Sequence, residues 1–281
     1  MNPRPSSSSR LEAPRRRSDG PALAVALFFG VIVAAGCQSS PSARSTSGSA
    51  APARTVADAP PQALSLSYVE AITAGAARDA KLPLIVALHG LGDRPEHFVA
   101  LFEDFPVPAR VVAPHSGSPF GDGFAWFAPY GAMSDEAAPA IGKAADDVAR
   151  FAGEAARARP TLGKPIVTGF SQGGALSYAV AVRHADAIAE SVPISGWLPP
   201  PLWPPALPHD APPISAFHGT ADSRVPLERD RAGVEALQKL GFRVELRVSD
   251  GVDHAIPKAV KSLVFAALAR ACEEQQKAGA R

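Results

Sequence analysis

Cysteine is scarce in this chain of 281 residues: Cys37 and Cys272 are the only two, too few for a disulfide-dense scaffold or a zinc site of several thiolates. Charge of one sign is lacking as well. The formal net charge is +1, and the basic residues form no run in the body of the chain, so the electrostatic footprint of a nucleic-acid binder is absent. No His-Glu-x-x-His, no ladder of clustered acids and no Gly-x-x-x-x-Gly-Lys loop occurs, so neither a metal nor a cofactor is expected. Internal repeats are missing too. What is present is a hydrophobic share of 46% against 20% charged residues, enough for a sizeable core and contrary to global disorder. Proline is plentiful at 29 residues, but it is densest near the N-terminus and in one later loop, where it marks linkers and lids.

The N-terminus reads as an address. Arg4, Arg10, Arg15, Arg16 and Arg17 precede an apolar run from Ala22 to Ala35 and then Gly36-Cys37. The run of 14 residues fits an export signal, whose apolar region is about 7–15 residues long. A membrane-spanning helix needs roughly 20. Ala34-Ala35-Gly36-Cys37 resembles a bacterial lipobox, with alanine at the first position where leucine is usual, and that resemblance implies lipidation of Cys37; ordinary signal cleavage is the alternative. Gln38 and Ser39 resemble the residues that follow the cysteine in outer-membrane lipoproteins of Gram-negative cells. From Gln38 to about Pro61 the chain is Ser, Ala, Pro, Gly and Thr without apolar period, which makes residues 37–62 a disordered tether. Loss of residues 1–36 removes five arginines and two acids, leaving a net charge of −2. Attachment to the cell envelope therefore rests on acyl chains, not on attraction to anionic lipid.

Residues 63–281 alternate strand and helix. Ala63 to Tyr68 alternates apolar and polar like a strand, Leu82 to Leu88 is a continuous apolar run of the buried-strand kind, and Val111 to Ala113 is a third strand. Helices are expected over Pro95 to Phe102 and Ala138 to Ala158, the latter with Pro139 in its first turn. Strand Pro165 to Thr168, helix Gln172 to His184, strands Ser191 to Ile194 and Pro213 to Phe217, helix Leu227 to Leu240, strand Arg243 to Val248 and a helix from about Pro257 to Cys272 complete the order. Such alternation predicts an α/β fold, a mostly parallel sheet with helices on both faces. Function in such sheets lies beyond the carboxyl ends of the strands.

Four strand ends carry candidate chemistry. Gly169-Phe170-Ser171-Gln172-Gly173 stands between a strand and a helix, the context of a nucleophile elbow; the bland alternative is that Ser171 only caps the helix. After Leu82 to Leu88 comes His89-Gly90-Leu91-Gly92-Asp93, a loop able to turn backbone N–H groups toward the site, and the N–H groups of Leu91 and Gln172 are the candidate oxyanion hole. His218-Gly219-Thr220-Ala221-Asp222 and Asp253-His254 follow two later strands. Ser171, Asp222 and His254 stand in the chain order nucleophile, acid, base. A serine hydroxyl is too weak a nucleophile unaided, so His254 would take its proton and Asp222 would fix the imidazole and stabilise its charged form. Asp253 is the reserve acid, poorly placed because it adjoins His254; His89, His115 and His218 precede the acid in sequence, and His97, His184 and His209 lie away from strand ends. Cys272 continues the apolar row of Val264 and Leu268 and reads as a core filler.

With these residues in view, the chain resembles the phospholipase/carboxylesterase family of α/β-hydrolases, which includes acyl-protein thioesterases and small bacterial carboxylesterases. The resemblance rests on Leu88-His89-Gly90-Leu91-Gly92-Asp93, Ala125-Trp126-Phe127, Gly169-Phe170-Ser171-Gln172-Gly173-Gly174, Ile194-Ser195-Gly196-Trp197-Leu198-Pro199, His218-Gly219-Thr220-Ala221-Asp222 and Asp253-His254, and spans nearly all of 63–281. It implies an α/β-hydrolase fold with little or no cap domain, and cofactor-free hydrolysis of a small carboxylic ester, thioester or lipid by a serine nucleophile. Two departures stand out: Ala128, where the family often has an acid after Trp-Phe, and the proline-rich Pro199 to Pro205, both expected near the substrate. Trp126, Trp197 and Trp203 are either walls of an acyl pocket or packing residues. A polyester or polysaccharide-ester hydrolase on the same fold is the near alternative, and a non-catalytic binding module on a hydrolase scaffold the distant one.

Overall fold

A computed structural model of the protein describes residues 63–129 and 134–279. The signal segment 1–36, Cys37 and the tether 37–62 lie outside the described residues. The elements in chain order are β1 (Tyr68–Ile72), β2 (Leu82–Leu88), α1 (Pro95–Ala100), β3 (Arg110–Pro114), β4 (Ser118–Phe120), β5 (Gly123–Ala125), α2 (Ala138–Ala158), β6 (Thr161–Phe170), α3 (Gln172–Arg183), β7 (Glu190–Ile194), β8 (Ile214–Gly219), α4 (Leu227–Lys239), β9 (Val244–Ser249) and α5 (Lys258–Gly279).

The main sheet has seven strands in the order β1-β3-β2-β6-β7-β8-β9. β1 pairs antiparallel with β3 and every other neighbouring pair is parallel. Helices cover both faces. Leu84, Val86 and Leu88 of β2 enter one core with residues of α2, α3 and α4, while Ile85 and Ala87 enter the other with residues of α1 and α5. Successive side chains of a strand point to opposite faces, so a strand buried on both sides reads as an unbroken apolar run. Each buried Leu, Ile or Val contributes roughly 1.5–3 kcal/mol relative to exposure, which makes these two layers the main source of stability.

Two expectations need correction. The alternation of Ala63 to Tyr68 is real as burial, since Leu64, Leu66 and Tyr68 pack on the first core, but pairing begins only at Tyr68 and runs to Ile72. Residues 64–66 cover the core edge without joining the ladder. The short ribbon of β4 and β5, paired from Ser118↔Ala125 to Phe120↔Gly123, was not expected; three-residue strands holding Pro119 carry no readable period. Among the described residues, only this ribbon and the 3-10 turns Asp135–Ala137 and Pro200–Leu202 are ordered elements in the long connections above the sheet, and none is a cap domain. No described helix is long and apolar enough to cross a membrane.

Candidate active site

Ser171 sits between the last residue of β6 and the first of α3, with φ 58° and ψ −114°. A positive φ is costly for any residue with a Cβ, about 1–3 kcal/mol, and persists only where the surroundings enforce it. Here they do. The Ser171 N–H is tied to the Ile194 carbonyl at 2.9 Å, and its carbonyl accepts the Ala175 N–H at 2.9 Å. Gly169 and Gly173 let the turn close: a Cβ on Gly173 would lie 2.1 Å from the Leu88 carbonyl oxygen, and one on Gly169 would lie 2.5 Å from the Gly173 backbone. The capping alternative for Ser171 fails, because its side chain makes no capping hydrogen bond to α3.

His254, in the loop after β9, faces the same cleft as Ser171. Its Nδ1 lies 2.8 Å from Asp222 Oδ2. The other Asp222 oxygen accepts the N–H groups of Arg224 at 3.0 Å and Val225 at 2.8 Å, so the buried carboxylate is held on both sides. Burial alone would raise the Asp222 carboxyl, but the hydrogen bond from His254 and these N–H donors outweigh it and hold the group below its ordinary value. Asp253 is engaged elsewhere, accepting the Ser223 N–H at 2.9 Å and its hydroxyl at 2.8 Å, and those bonds bring it down to about 2. Asp250 accepts the Thr220 hydroxyl. Among the described residues no hydrogen bond joins Ser171 to His254; such bonds often tighten only with substrate bound.

The cleft has a volume of about 690 Å³ and places Gly90, Leu91, Ser171, Gln172 and His254 around one opening. Among the described residues, neither the Leu91 N–H nor the Gln172 N–H donates to a protein acceptor, so both are available to a negatively charged oxygen. Phe127, Phe170, Trp197 and Val225 supply apolar walls and Arg224 a cation, while Trp197 packs edge-on to Phe127 with centroids 6.2 Å apart. Trp126, in contrast, does not line the cleft. Its indole N–H donates to the His89 carbonyl at 3.0 Å and its ring lies tilted over His89 with centroids 5.1 Å apart, while Phe127, next to it in the bend after β5, takes the cleft side. Ala128 does line it; the proline-rich loop does not, and Trp203 turns its N–H to the Leu198 carbonyl and packs on the core.

Sequence reasoning missed the role of the Gln172 side chain. Its Oε1 accepts the Trp126 N–H at 3.0 Å and its Nε2 donates to the Phe127 carbonyl at 2.8 Å, fixing the cleft wall to the residue after Ser171. Of the remaining histidines, His89 is buried with Nδ1 on the Gly90 carbonyl, and His97, His184 and His209 pair with Asp93, Asp146 and Asp210. Burial holds the His89 imidazole below its ordinary value, against the pull of that carbonyl.

Residues 70–265 match the model of the family described as Phospholipase/Carboxylesterase. The chain belongs to the phospholipase/carboxylesterase family. Its reaction class is the hydrolysis of carboxylic esters. The relative "Probable carboxylesterase" of Oryza sativa subsp. japonica is 32% identical over 222 residues, covering 71% of this chain and 81% of its own. A second protein of that plant, "Probable inactive carboxylesterase", is 27% identical over 203 residues, or 61% of this chain and 78% of its own. The crystal structure of Zea mays acyl-protein thioesterase 2 superposes with a TM-score of 0.60 at 23% identity, covering 73% of this chain and 99% of that one. At that identity the likeness speaks for the α/β-hydrolase fold.

Proposed function

We propose that this family member hydrolyses small carboxylic esters through an acyl-enzyme formed on Ser171. His254 takes the proton from the Ser171 hydroxyl as its oxygen attacks the ester carbonyl, and the Leu91 and Gln172 N–H groups receive the charge on the tetrahedral oxygen. Asp222 keeps the His254 tautomer and balances its imidazolium. The imidazolium returns its proton to the departing alcohol; water, activated by the same base, then releases the acid. The observation that carries the reading is the strained backbone of Ser171, whose hydroxyl is free of capping and shares a cleft with an Asp222-bound histidine.

The test is hydrolysis of p-nitrophenyl esters from acetyl to palmitoyl by the full chain and by Ser171→Ala. Expected is turnover with a short-chain optimum, falling about 10⁴-fold or more in the variant. Equal rates in the two proteins overturn the role of Ser171, and equal rates at the uncatalysed level favour a non-catalytic binding module; one rice relative is named as inactive. A palmitoyl optimum keeps the nucleophile but moves the substrate class to lipids.

The location proposed is the cell envelope, with the hydrolase held to the membrane by lipid on Cys37 and a tether over 37–62. The sequence pattern Ala34-Ala35-Gly36-Cys37 after an apolar run supports it. Cys37→Ser should stop incorporation of labelled palmitate and release the protein from the membrane fraction; a variant labelled as well as the parent removes the anchor.

A further inference from the structure

His218 takes no part in the reaction drawn above, yet it is the most fully bonded ionisable group behind it. Its side chain is completely buried near the carboxyl end of β8. Nε2 lies 2.9 Å from the Val225 carbonyl oxygen and 3.4 Å from Asp222 Oδ2, while Nδ1 lies 2.7 Å from Asp230 Oδ2. Asp230, in the first turn of α4, is buried too, and its other oxygen accepts the hydroxyl of buried Tyr178 from α3 at 2.7 Å. A largely buried chain of polar groups thus runs Tyr178, Asp230, His218, Asp222, His254, from the helix behind Ser171 back to the cleft.

Proton counting gives this chain a meaning. Nε2 of His218 faces a carbonyl and a carboxylate, both acceptors, so it carries a proton. Nδ1 lies 2.7 Å from a carboxylate oxygen and one proton is shared between them; placed on Nδ1, it leaves Asp230 an ionised carboxylate that accepts from both His218 and Tyr178. Burial disfavours the resulting cation, but the hydrogen bond and charge of Asp230, with Val225 and Asp222 adding, outweigh it and raise the His218 value. Burial also raises the Asp230 carboxyl, against the bonds from His218 and Tyr178 and the charge of Arg231, and drives the Tyr178 phenol well above its ordinary range, which keeps it a donor. Transfer of the shared proton to Asp230 is the competing arrangement. The charged or titratable groups bearing on His218 are therefore Asp222 in the loop after β8, Asp230 with Arg231 on α4 and Tyr178 on α3.

The geometry points to His218 as a positioning residue for the proposed catalytic acid: a buried imidazolium, held by Asp230 and the Val225 carbonyl, whose charge stands 3.4 Å from Asp222 and draws part of that carboxylate's field away from His254. This inference rests on the reading of Asp222 and His254 as acid and base. Its consequence is that the acid limit of activity depends on the charge held at Asp230, because that charge sets how much of Asp222 is left to balance the His254 imidazolium.

The first test needs no activity. In the full chain with ¹⁵N-labelled histidine, the imidazole spectrum at neutral pH is expected to show both nitrogens of His218 protonated, the signals being assigned by their loss in His218→Gln. A proton on Nε2 alone overturns the proposal. The second test is the pH profile of kcat/KM for p-nitrophenyl acetate in Asp230→Asn, which keeps partners for Tyr178 and Nδ1 but removes the charge. The acid limb should move up by about 1 pH unit with KM unchanged. A folded variant with lowered melting temperature and an unmoved acid limb leaves only a packing role and overturns it. If Ser171→Ala keeps full activity, the acyl-enzyme reading at Ser171 fails, while the nitrogen spectrum still decides the state of His218.

Discussion

The two ends of the parallel strands treat polar groups in opposite ways. At the amino ends, buried charges are paired within the protein: Arg110 meets Glu70 at 2.5 Å, and Glu190 meets Arg270 at 2.5 Å and the Ser215 hydroxyl at 2.8 Å. At the carboxyl ends, two serines take positive φ, Ser171 at 58° and Ser195 at 45°, and the N–H groups of Leu91 and Gln172 have no protein acceptor among the described residues. One end is finished in the free protein. The other is left incomplete, with backbone strain and open donors that a developing oxyanion would complete. Stability and chemistry are thereby separated along the strand axis, and substitutions at the two ends should be separable too.

The sharpest way to test that separation is at the acid. Asp222→Asn leaves the carboxyl-end geometry in place but misorients the imidazole, and kcat for p-nitrophenyl acetate should fall about 10⁴-fold. Asp253→Asn, one residue from His254, should leave kcat unchanged. The reverse result would move the proton-balancing role to Asp253. A smaller effect of opposite sign is expected at the strained serine: Ser171→Gly relieves the positive φ and should stabilise the fold by about 1 kcal/mol in urea unfolding while abolishing turnover. A destabilised Ser171→Gly would show that the elbow is not strained.

The mildest contrast is in pH. Burial raises the Glu190 carboxyl above its ordinary 4.5, with Ser215 and Arg270 opposing, so its contribution to stability is full below 4.5 and lost as pH rises through the native value. Asp222 is held below its ordinary 3.8, so its contribution is full above 3.8 and lost as pH falls through the native value. Melting temperature against pH should therefore lose its alkaline-side decline near Glu190 in Glu190→Gln, with kcat kept, and lose its acid-side decline in Asp222→Asn. Identical pH curves for Glu190→Gln and the parent would remove the amino-end half of the comparison.

The legibility of the chain follows the same divide. Leu82–Leu88 could be read because burial on both faces leaves an unbroken apolar run, and Ser171, Asp222 and His254 could be nominated because each follows a strand in a fixed chain order, although the strand before His254 mixes polar and apolar residues. The start of β1 was misplaced, since alternation reports burial and not pairing; Leu64 and Leu66 are part-buried without a partner strand. Trp126 could not be told from Phe127, because which of two neighbours faces a cleft depends on the bend that follows β5, which carries no period in the sequence. The Tyr178, Asp230 and His218 cluster was invisible for another reason. An acid in the first turn of a polar helix reads as a solvated charge, and only its tertiary contacts with Tyr178 and His218 show it buried.

The amide of Gln172 has a consequence for how such a protein can diverge. One residue carries the backbone N–H proposed for the oxyanion and gives its side chain to both Trp126 and Phe127, so the groove wall and the proposed turnover machinery share a rivet. A lineage that reshapes the wall at 126–127 to admit a new acid moiety disturbs the rate at the same stroke, whereas changes at Ala128, Trp197 or Arg224 do not touch that amide. New substrates are therefore most readily acquired from the far rim inward.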